Sequence, residues 1–472
     1  MSTPATNVRC AQDDASPEPL HWTTPKRRRA AWTVTILLLF LMMLNWADKA
    51  VIGLAAIPLM QDLGVTPQQF GLVNSGMFLA FMVAQIVIAP VSTRLPARWM
   101  IMVMCGIWAL SNLPVVLVAT LPALWVSRLL LGAGEGPYAP IAMHATYKWF
   151  PKKKGATPAA LVSAGVTLGI VTFAPLLAWV IATWGWKIAF LSLSVAGMIW
   201  MLAWFFVGKE GPYTSDAAEL AMEGDSSCLT SATPAQQKQA PCEDRDVPFF
   251  RTILNPTWFF AVFVSFMGYF TFALATSWAP AYFESVLGYS RQTAGSLIAL
   301  PAAWGFLATI GLSNLTQRLD LRGVPTRIAR GVVVGGAGFL AGLSLLASTF
   351  VENPALALAL MTIGFGTAPA LFAVTYLIVA ELTSVRQRPA HLNIANAGLS
   401  LGGVVAPSVA GWLIGNAAAP AQGYIQSFQI AGALLALGGV ACMLFVNQQR
   451  QRRSLGLDGV SDPTPAHGTS LR

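Results

Sequence analysis

Four charged side chains lie within long apolar stretches of the sequence, where ionisable groups are rare. Asp48 and Lys49 are adjacent in the first stretch, and Arg128 and Glu135 lie together in another. Arg128 and Glu135 are seven residues apart, which is two helical turns, so both would project from about the same face. Charged groups inside a membrane span are costly and usually functional. These residues are therefore the first candidates for chemistry, provided that the stretches cross a membrane.

Two cations and two carboxylates suit the transport of an anion together with protons. They can neutralise one another, which makes their burial tolerable. A cation could hold a substrate carboxylate, while Asp48 or Glu135 takes up a proton and releases its hold on that cation. The loading of substrate and of protons would then be linked. The alternative is a static network of ion pairs that only fixes how the helices pack.

The composition predicts a membrane protein. Of the 472 residues, 55% are hydrophobic and 10% are charged, whereas soluble domains carry about 25% charged residues. The net charge of +9 does not indicate nucleic acid binding, because the basic residues occupy short loops between apolar stretches. The sequence contains no P-loop, paired metal-ligand spacing or nucleophile arrangement, and its five cysteines are scattered. We therefore expect neither an enzyme nor a bound cofactor.

Twelve apolar stretches are long enough to cross a bilayer as helices. They predict an all-α membrane protein with twelve transmembrane helices in two pseudo-symmetric six-helix bundles, residues 30–207 and 251–447. The polar or basic segments 1–29, 208–250 and 448–472 are predicted to be a disordered N-terminus, a linker and a tail. The predicted spans cover residues 31–56, 70–92, 99–119, 122–145, 157–183, 187–207, 257–283, 293–315, 328–350, 354–379, 389–416 and 425–447.

Basic residues of the loops predict the orientation of the chain. Because cytoplasmic loops are enriched in lysine and arginine, both termini and the linker are predicted to be cytoplasmic, in a chain that crosses the cytoplasmic membrane many times. The basic segments that fall on this one face include residues 26–29, 94–98, 148–154, 318–330, 386–388 and 450–453.

The two halves of the sequence repeat each other. Three matched segments recur at nearly equal offsets, which indicates two bundles that rock about a central site. The glycines of the fourth span predict close helix approach, and Pro137 predicts a kink. The matches are residues 132–137 with 364–369 and 46–48 with 278–280, each at an offset of 232, and 165–169 with 398–402, at 233.

The charged members of the repeat lie only in the first half. Asp48 corresponds to Pro280, and Glu135 corresponds to Thr367. The second half is therefore expected to supply shape, aromatic rings and neutral polar groups. Its candidate lining residues are Tyr269 near the middle of the seventh span, with Asn396 and Ser400 in the eleventh; packing, or a local backbone bond for Ser400, is the alternative.

Four segments together resemble a known family. They are residues 44–49, 128–137, 149–151 and 184–190. With them the chain resembles the major facilitator superfamily, and within it the anion:cation symporter group. That group includes bacterial permeases for tartrate, glucarate, galactonate and phthalate, and is related to sialin and the vesicular glutamate transporters. The resemblance covers about residues 30–450.

The resemblance implies roles for the four charged residues. Asp48 and Glu135 match acidic positions implicated in proton coupling, and Arg128 matches a substrate-linked arginine. Lys49 stands where relatives often have arginine, so it keeps the charge but loses the bidentate fork. In the loop after the second span, Thr93 replaces the usual aspartate, which weakens the expected cytoplasmic gate.

The uncharged residues at matched family positions imply a less polar binding pocket. Phe81 stands where galactonate-type carriers have a tyrosine. Val166 stands where they have a glutamine, and Ser400 stands where they have an asparagine. Asn396 falls at a polar position. Fewer hydroxyl and amide groups favour an aromatic or less hydroxylated carboxylate over a polyhydroxylated sugar acid. Phe81, Asn396 and Ser400 thus join Tyr269, Lys49 and Arg128 as predicted substrate-binding residues.

These observations predict a secondary transporter that takes up a small organic anion with protons by alternating access. The anion is expected to be a carboxylate: a sugar acid, a dicarboxylate or an aromatic acid. The expected partners are this anion, protons and the lipid bilayer, without nucleic acid, and we expect a monomer. The alternatives are an exporter that exchanges protons for a drug or metabolite, and a membrane sensor for an anion.

Overall fold

The described part of the chain is a bundle of helices. The computed structural model describes residues 25–92, 95–150, 156–211, 249–383 and 387–455. We number the spans in chain order and call residues 25–211 the first half and residues 249–455 the second half. Spans 1 to 6 are Pro25–Leu54, Pro67–Ser92, Ala97–Ser111 with Leu113–Val118, Leu121–Glu135 with Tyr138–Tyr147, Ala156–Trp184, and Trp186–Val207. Spans 7 to 12 are Pro256–Ser285, Arg291–Leu297 with Ala299–Leu321, the π-helical turn Arg327–Val332 with Val333–Ser348, Pro354–Glu381, Arg388–Asn416, and Pro420–Phe445.

Eleven of these spans are, within the described residues, long and apolar enough to cross a membrane. The remaining one, span 4, is divided at Gly136 and Pro137 into two shorter helices. Because proline has no N–H, the carbonyl of Ala133 loses its usual partner four residues on. The predicted kink is confirmed, and the twelve predicted spans are all helical.

Glycines allow the helices of the bundle to approach one another closely. A Cβ added at Gly132 would lie 2.2 Å from the carbonyl oxygen of Met77 in span 2, and one at Gly136 would lie 2.3 Å from that of Phe81. In span 11, a Cβ at Gly402 would lie 2.5 Å from the carbonyl oxygen of Phe266. The prediction that the glycines of the fourth span serve close packing is confirmed, and Gly402 makes a similar approach in span 11.

The outer surface of the bundle is apolar. Phe206 is 70% exposed, Leu307 is 61% exposed and Leu202 is 60% exposed. Such a surface is unfavourable in water but suits the hydrocarbon of a bilayer, in which the helices satisfy their own backbone groups. The exposed side chains therefore face lipid.

The ends of the chain differ in part from the prediction. Span 1 begins at Pro25, so residues 26–29 are helical although they were predicted to be disordered. Proline is well suited to a first helical turn, since its φ is already fixed. A short helix, Gln448–Leu455, occupies the start of the predicted tail. Residues 1–24, 212–248 and 456–472, with the basic residues 94, 152–154 and 386 and the gate residue Thr93, lie outside the described residues.

Candidate functional site

A cavity of about 1620 Å³ lies between the two halves. It reaches one end of the bundle, where Pro96, Lys148 and Glu210 form part of its lining. Those residues follow spans 2, 4 and 6, so with an even number of spans this is the end that holds the chain termini. We call it the terminal end and the opposite one the far end. The cavity is therefore open toward the terminal end.

The far end is closed by direct contact between backbones of the two halves. A Cβ at Gly71 in span 2 would lie 2.3 Å from the carbonyl oxygen of Pro407 in span 11. One at Gly53 would lie 2.1 Å from the carbonyl oxygen of Thr276. Beside the first contact, the Oγ atoms of Ser75 and Ser408 are 2.6 Å apart. At these contacts the two halves touch directly.

Lys49 and Glu135 form an ion pair on the cavity wall. Lys49 Nζ lies 2.6 Å from Glu135 Oε2 and donates a second hydrogen bond to Asn45 Oδ1 at 2.6 Å. The same ammonium lies 5.3 Å from the ring centroid of Trp46 and 5.4 Å from that of Phe81, within the range of a cation–π contact. All five residues line the cavity. The Lys49 ammonium is therefore paired with one carboxylate and lies near two aromatic rings.

Three buried polar atoms of the cavity wall lack a hydrogen-bond partner among the described residues. They are Asn45 Nδ2, Glu135 Oε1 and Ser400 Oγ. A buried polar atom without a partner costs about 1–3 kcal/mol. A solute or a proton that reached these atoms would recover that energy.

Asp48 and Arg128 lie behind the cavity wall. Arg128 is fully buried, and its Nη2 donates to Asn112 Oδ1 at 2.6 Å. Asn112 Nδ2 in turn donates to Asp48 Oδ1 at 2.9 Å, and Trp108 Nε1 donates to Asp48 Oδ2. The guanidinium carbon of Arg128 lies 5.0 Å from the ring centroid of Phe190. A neutral amide therefore bridges this cation and its carboxylate.

The second half contributes aromatic rings and one polar cluster to the cavity. The ring of Tyr269 lies 5.7 Å from that of Phe272 and 5.6 Å from that of Phe372. Tyr376 donates to Asn396 Oδ1 at 2.6 Å. Each of these residues lines the cavity, as expected from the prediction that this half supplies neutral groups.

Six of the eight residues predicted from the sequence line the cavity, while Asp48 and Arg128 do not. Sequence reasoning missed Asn112 and Gln85, both polar residues in apolar spans, which is the signal that could have singled them out. Among the residues that the structure describes, no cluster of histidine, cysteine, aspartate or glutamate could hold a metal ion. The six predicted residues that line the cavity are Lys49, Glu135, Phe81, Tyr269, Asn396 and Ser400.

Comparisons with known proteins agree with this geometry. The Major Facilitator Superfamily model matches residues 38–375 and 326–467. A probable sulfoacetate transporter of Cupriavidus necator is 26% identical over 412 residues, which cover 85% of this chain and 90% of that protein. A D-galactonate transporter of Escherichia coli is 23% identical over 428 residues, which cover 88% and 96%.

A solved structure has the same fold. It is a bacterial homologue of the human lysosomal transporter Spinster, in an inward-facing and unoccupied conformation. It matches with a TM-score of 0.72 at 19% identity, and the match covers 94% of this chain and 100% of that chain.

Proposed function

The chain belongs to the major facilitator superfamily, and from that premise we propose that it carries a small organic carboxylate together with protons. It is a multi-pass membrane transporter, not an enzyme. We place it in the cytoplasmic membrane with both termini in the cytoplasm, because its basic loops lie at the terminal end. We propose uptake as the direction of transport. One chain encloses the whole cavity, which supports a monomer as the working unit.

The observation that carries the proposal is the ion pair on the cavity wall. A carboxylate that enters the cavity must compete with Glu135 for Lys49, since their side chains are already 2.6 Å apart. A proton on Glu135 removes its negative charge and leaves Lys49 free to hold the substrate. Loss of that proton restores the pair and expels the anion. Proton and substrate are thus loaded together.

Asp48 and Arg128 support this site without lining it. The charge of Arg128 reaches Asp48 through the amide of Asn112. We propose that this buried cluster fixes span 1 and sets the field at the adjacent Lys49, and that Asp48 is the second proton-coupling carboxylate. Arg128 therefore acts on the substrate through other residues in this conformation.

The lining of the cavity favours one class of carboxylate. Lys49 is the cation beside the unpartnered polar atoms, and the rings of Trp46, Phe81 and Tyr269 line the same cavity. A single cation suits a single carboxylate, and aromatic walls suit an apolar or planar body. Asn45 and Ser400 can serve one or two hydroxyl groups. We therefore propose an aromatic or weakly hydroxylated monocarboxylate.

Transport into proteoliposomes tests the proposal. The purified protein is reconstituted, an inward proton gradient is imposed, and uptake of labelled benzoate, gluconate and phthalate is compared with that in empty vesicles. We expect uptake that collapses when a protonophore removes the gradient. Gradient-driven exit of the anion would favour the exporter instead, and the absence of any gradient-dependent carboxylate movement would overturn the proposal.

A further inference from the structure

A backbone carbonyl at the break of span 4 needs a partner from outside its helix. In a regular helix the carbonyl of Gly136 would accept from the N–H of residue 140. That residue is Pro140, which has no N–H. The side chain of Gln85 in span 2 supplies the missing donor, since its Nε2 lies 3.0 Å from the Gly136 oxygen. One side chain of span 2 thus satisfies the carbonyl that Pro140 leaves without its helical donor.

The same glutamine reaches across to the second half. Its Oε1 accepts a hydrogen bond from Nδ2 of Asn396 in span 11. Asn396 Oδ1 in turn accepts from the hydroxyl of Tyr376 in span 10. Each amide therefore donates at one end and accepts at the other. A continuous chain of hydrogen bonds runs from span 10 through span 11 and span 2 to span 4.

This chain ends next to the ion pair of the cavity. Gly136 follows Glu135 directly, and Glu135 holds Lys49. Both Gln85 and Asn396 line the cavity, so a solute there can reach the link between them. Asn396 Nδ2 has two hydrogens and donates one of them to Gln85 Oε1. A solute that takes this hydrogen displaces Gln85.

We propose that Gln85 is a positioning residue that latches the two halves together in the state open toward the terminal end. The latch holds the break of span 4, and with it Glu135, against the second half. A substrate that takes the Asn396 hydrogen now donated to Gln85 opens the latch, which frees span 4 to move with the rest of the first half. This last step rests on the proposed function, whereas the latch itself does not.

Disulfide trapping at the closed far end measures the latch without any substrate. Ser75→Cys and Ser408→Cys are introduced into a full-length chain whose native cysteines are replaced by serine. The two Oγ atoms are 2.6 Å apart, so the introduced thiols can crosslink only while that end is closed. Gln85→Met removes both hydrogen bonds of this side chain, of which the one to Asn396 joins the two halves. We expect it to slow crosslinking by about two- to tenfold, the range that the loss of this one bond between the halves supplies. Gln61→Met, at an exposed position of the first half, is the matched control and is expected to change nothing.

A double-mutant cycle separates a latch from a merely structural contact. If Gln85 and Asn396 act through one bond, Asn396→Leu slows crosslinking as Gln85→Met does, and the double variant is no slower than either. Effects that multiply, or crosslinking that is unchanged or faster in Gln85→Met, overturn the proposal.

A second variant guards against misfolding of the first. Gln85→Glu keeps an acceptor for Asn396 but loses the donor to Gly136, so it is expected to slow crosslinking as well. Normal crosslinking in this variant would show that the Gly136 contact is dispensable and would overturn the latch. The crosslinking assay contains no substrate, so its result does not depend on whether the protein transports a carboxylate. A failure of the transport assay would overturn the proposed function but not the latch, and a failure of the crosslinking assay would overturn only the latch.

Discussion

The two pairs of opposite charge in the first half are built differently. Lys49 and Glu135 touch directly on the cavity wall, whereas Arg128 and Asp48 are separated by the amide of Asn112 and lie behind the wall. Asp48 and Lys49 are neighbours in sequence, but consecutive residues of a helix point about 100° apart. Asp48 therefore points into the protein interior, and Lys49, the next residue of span 1, lines the cavity. The difference separates a pair that can be exchanged from one that is fixed.

The largest effect is expected when the pair on the cavity wall, Lys49 and Glu135, loses its cation. Lys49→Ala removes the charge that a substrate carboxylate would need and leaves Glu135 buried without a partner. We expect apparent affinity for a transported carboxylate to fall by at least about 100-fold, in line with the 3–5 kcal/mol lost when a buried pair is broken. Thermal-shift titration measures it, because ligand binding raises the melting temperature. Lys49→Arg, which keeps the charge, is the control; equal affinity in Lys49→Ala would exclude this site.

The hidden pair is expected to affect stability as well as transport. Arg128→Ala leaves Asp48 without its distant counter-charge, and Asn112→Ala leaves two charged groups short of a hydrogen bond. We expect transport to be abolished in Arg128→Ala, with a loss of stability of about 3–5 kcal/mol, and a loss of about 1–3 kcal/mol in Asn112→Ala. Melting in detergent measures stability. A stable Arg128→Ala protein that fails only to bind the carboxylate would show that Arg128 contacts substrate directly.

Neutralising the carboxylate on the cavity wall is expected to remove the proton that Glu135 couples to transport. In the unaltered chain, anion binding should strengthen as the pH falls, because a protonated Glu135 no longer competes for Lys49. In Glu135→Gln that dependence should weaken to the part that Asp48 supplies, while exchange of labelled for unlabelled anion continues within about threefold, since Lys49 remains in place. Counterflow measured across a range of pH compares the two. Proton-driven uptake at the normal rate in Glu135→Gln would remove Glu135 from the mechanism.

The smallest effect concerns an aromatic ring beside the pair on the cavity wall. Phe81→Tyr adds a hydroxyl beside Lys49, which the ring already approaches to 5.4 Å. We expect a few-fold gain in affinity for a polyhydroxylated acid such as gluconate, about the worth of one hydrogen bond. Competition with benzoate measures the ratio of the two affinities. A ratio that does not move would show that this ring does not contact the substrate body.

The sequence predicted the spans and most of the cavity because both depend on patterns along the chain. Apolar length predicted the helices, and the rarity of charge within them singled out Lys49 and Glu135. The sequence could not predict that Arg128 lies behind the cavity wall. The position of a residue on a helix face does not show which neighbouring helix that face contacts. Asn112 was missed because its partner Asp48 lies 64 residues away along the chain.

Gln85 was missed for a different reason. Its partner in span 4 is a backbone carbonyl, which has no signature of its own in the sequence. The sequence shows the proline that leaves this carbonyl without its helical donor. It does not show which neighbouring span supplies a donor instead. The contact between Gln85 and Asn396 joins residues 311 positions apart, which only the fold reveals.

The direct pairing of Lys49 with Glu135 makes the site electrically neutral in both of its proposed states. Empty, the site holds one positive and one negative charge. Loaded, it holds the lysine, a monocarboxylate and a neutral glutamic acid, which again sum to zero. Moving one net charge through a membrane potential of 100 mV changes the free energy by about 2.3 kcal/mol. Lys49, Glu135 and the bound anion therefore move no such charge in either direction, so a dependence of accumulation on voltage would report the second proton, the one carried by Asp48.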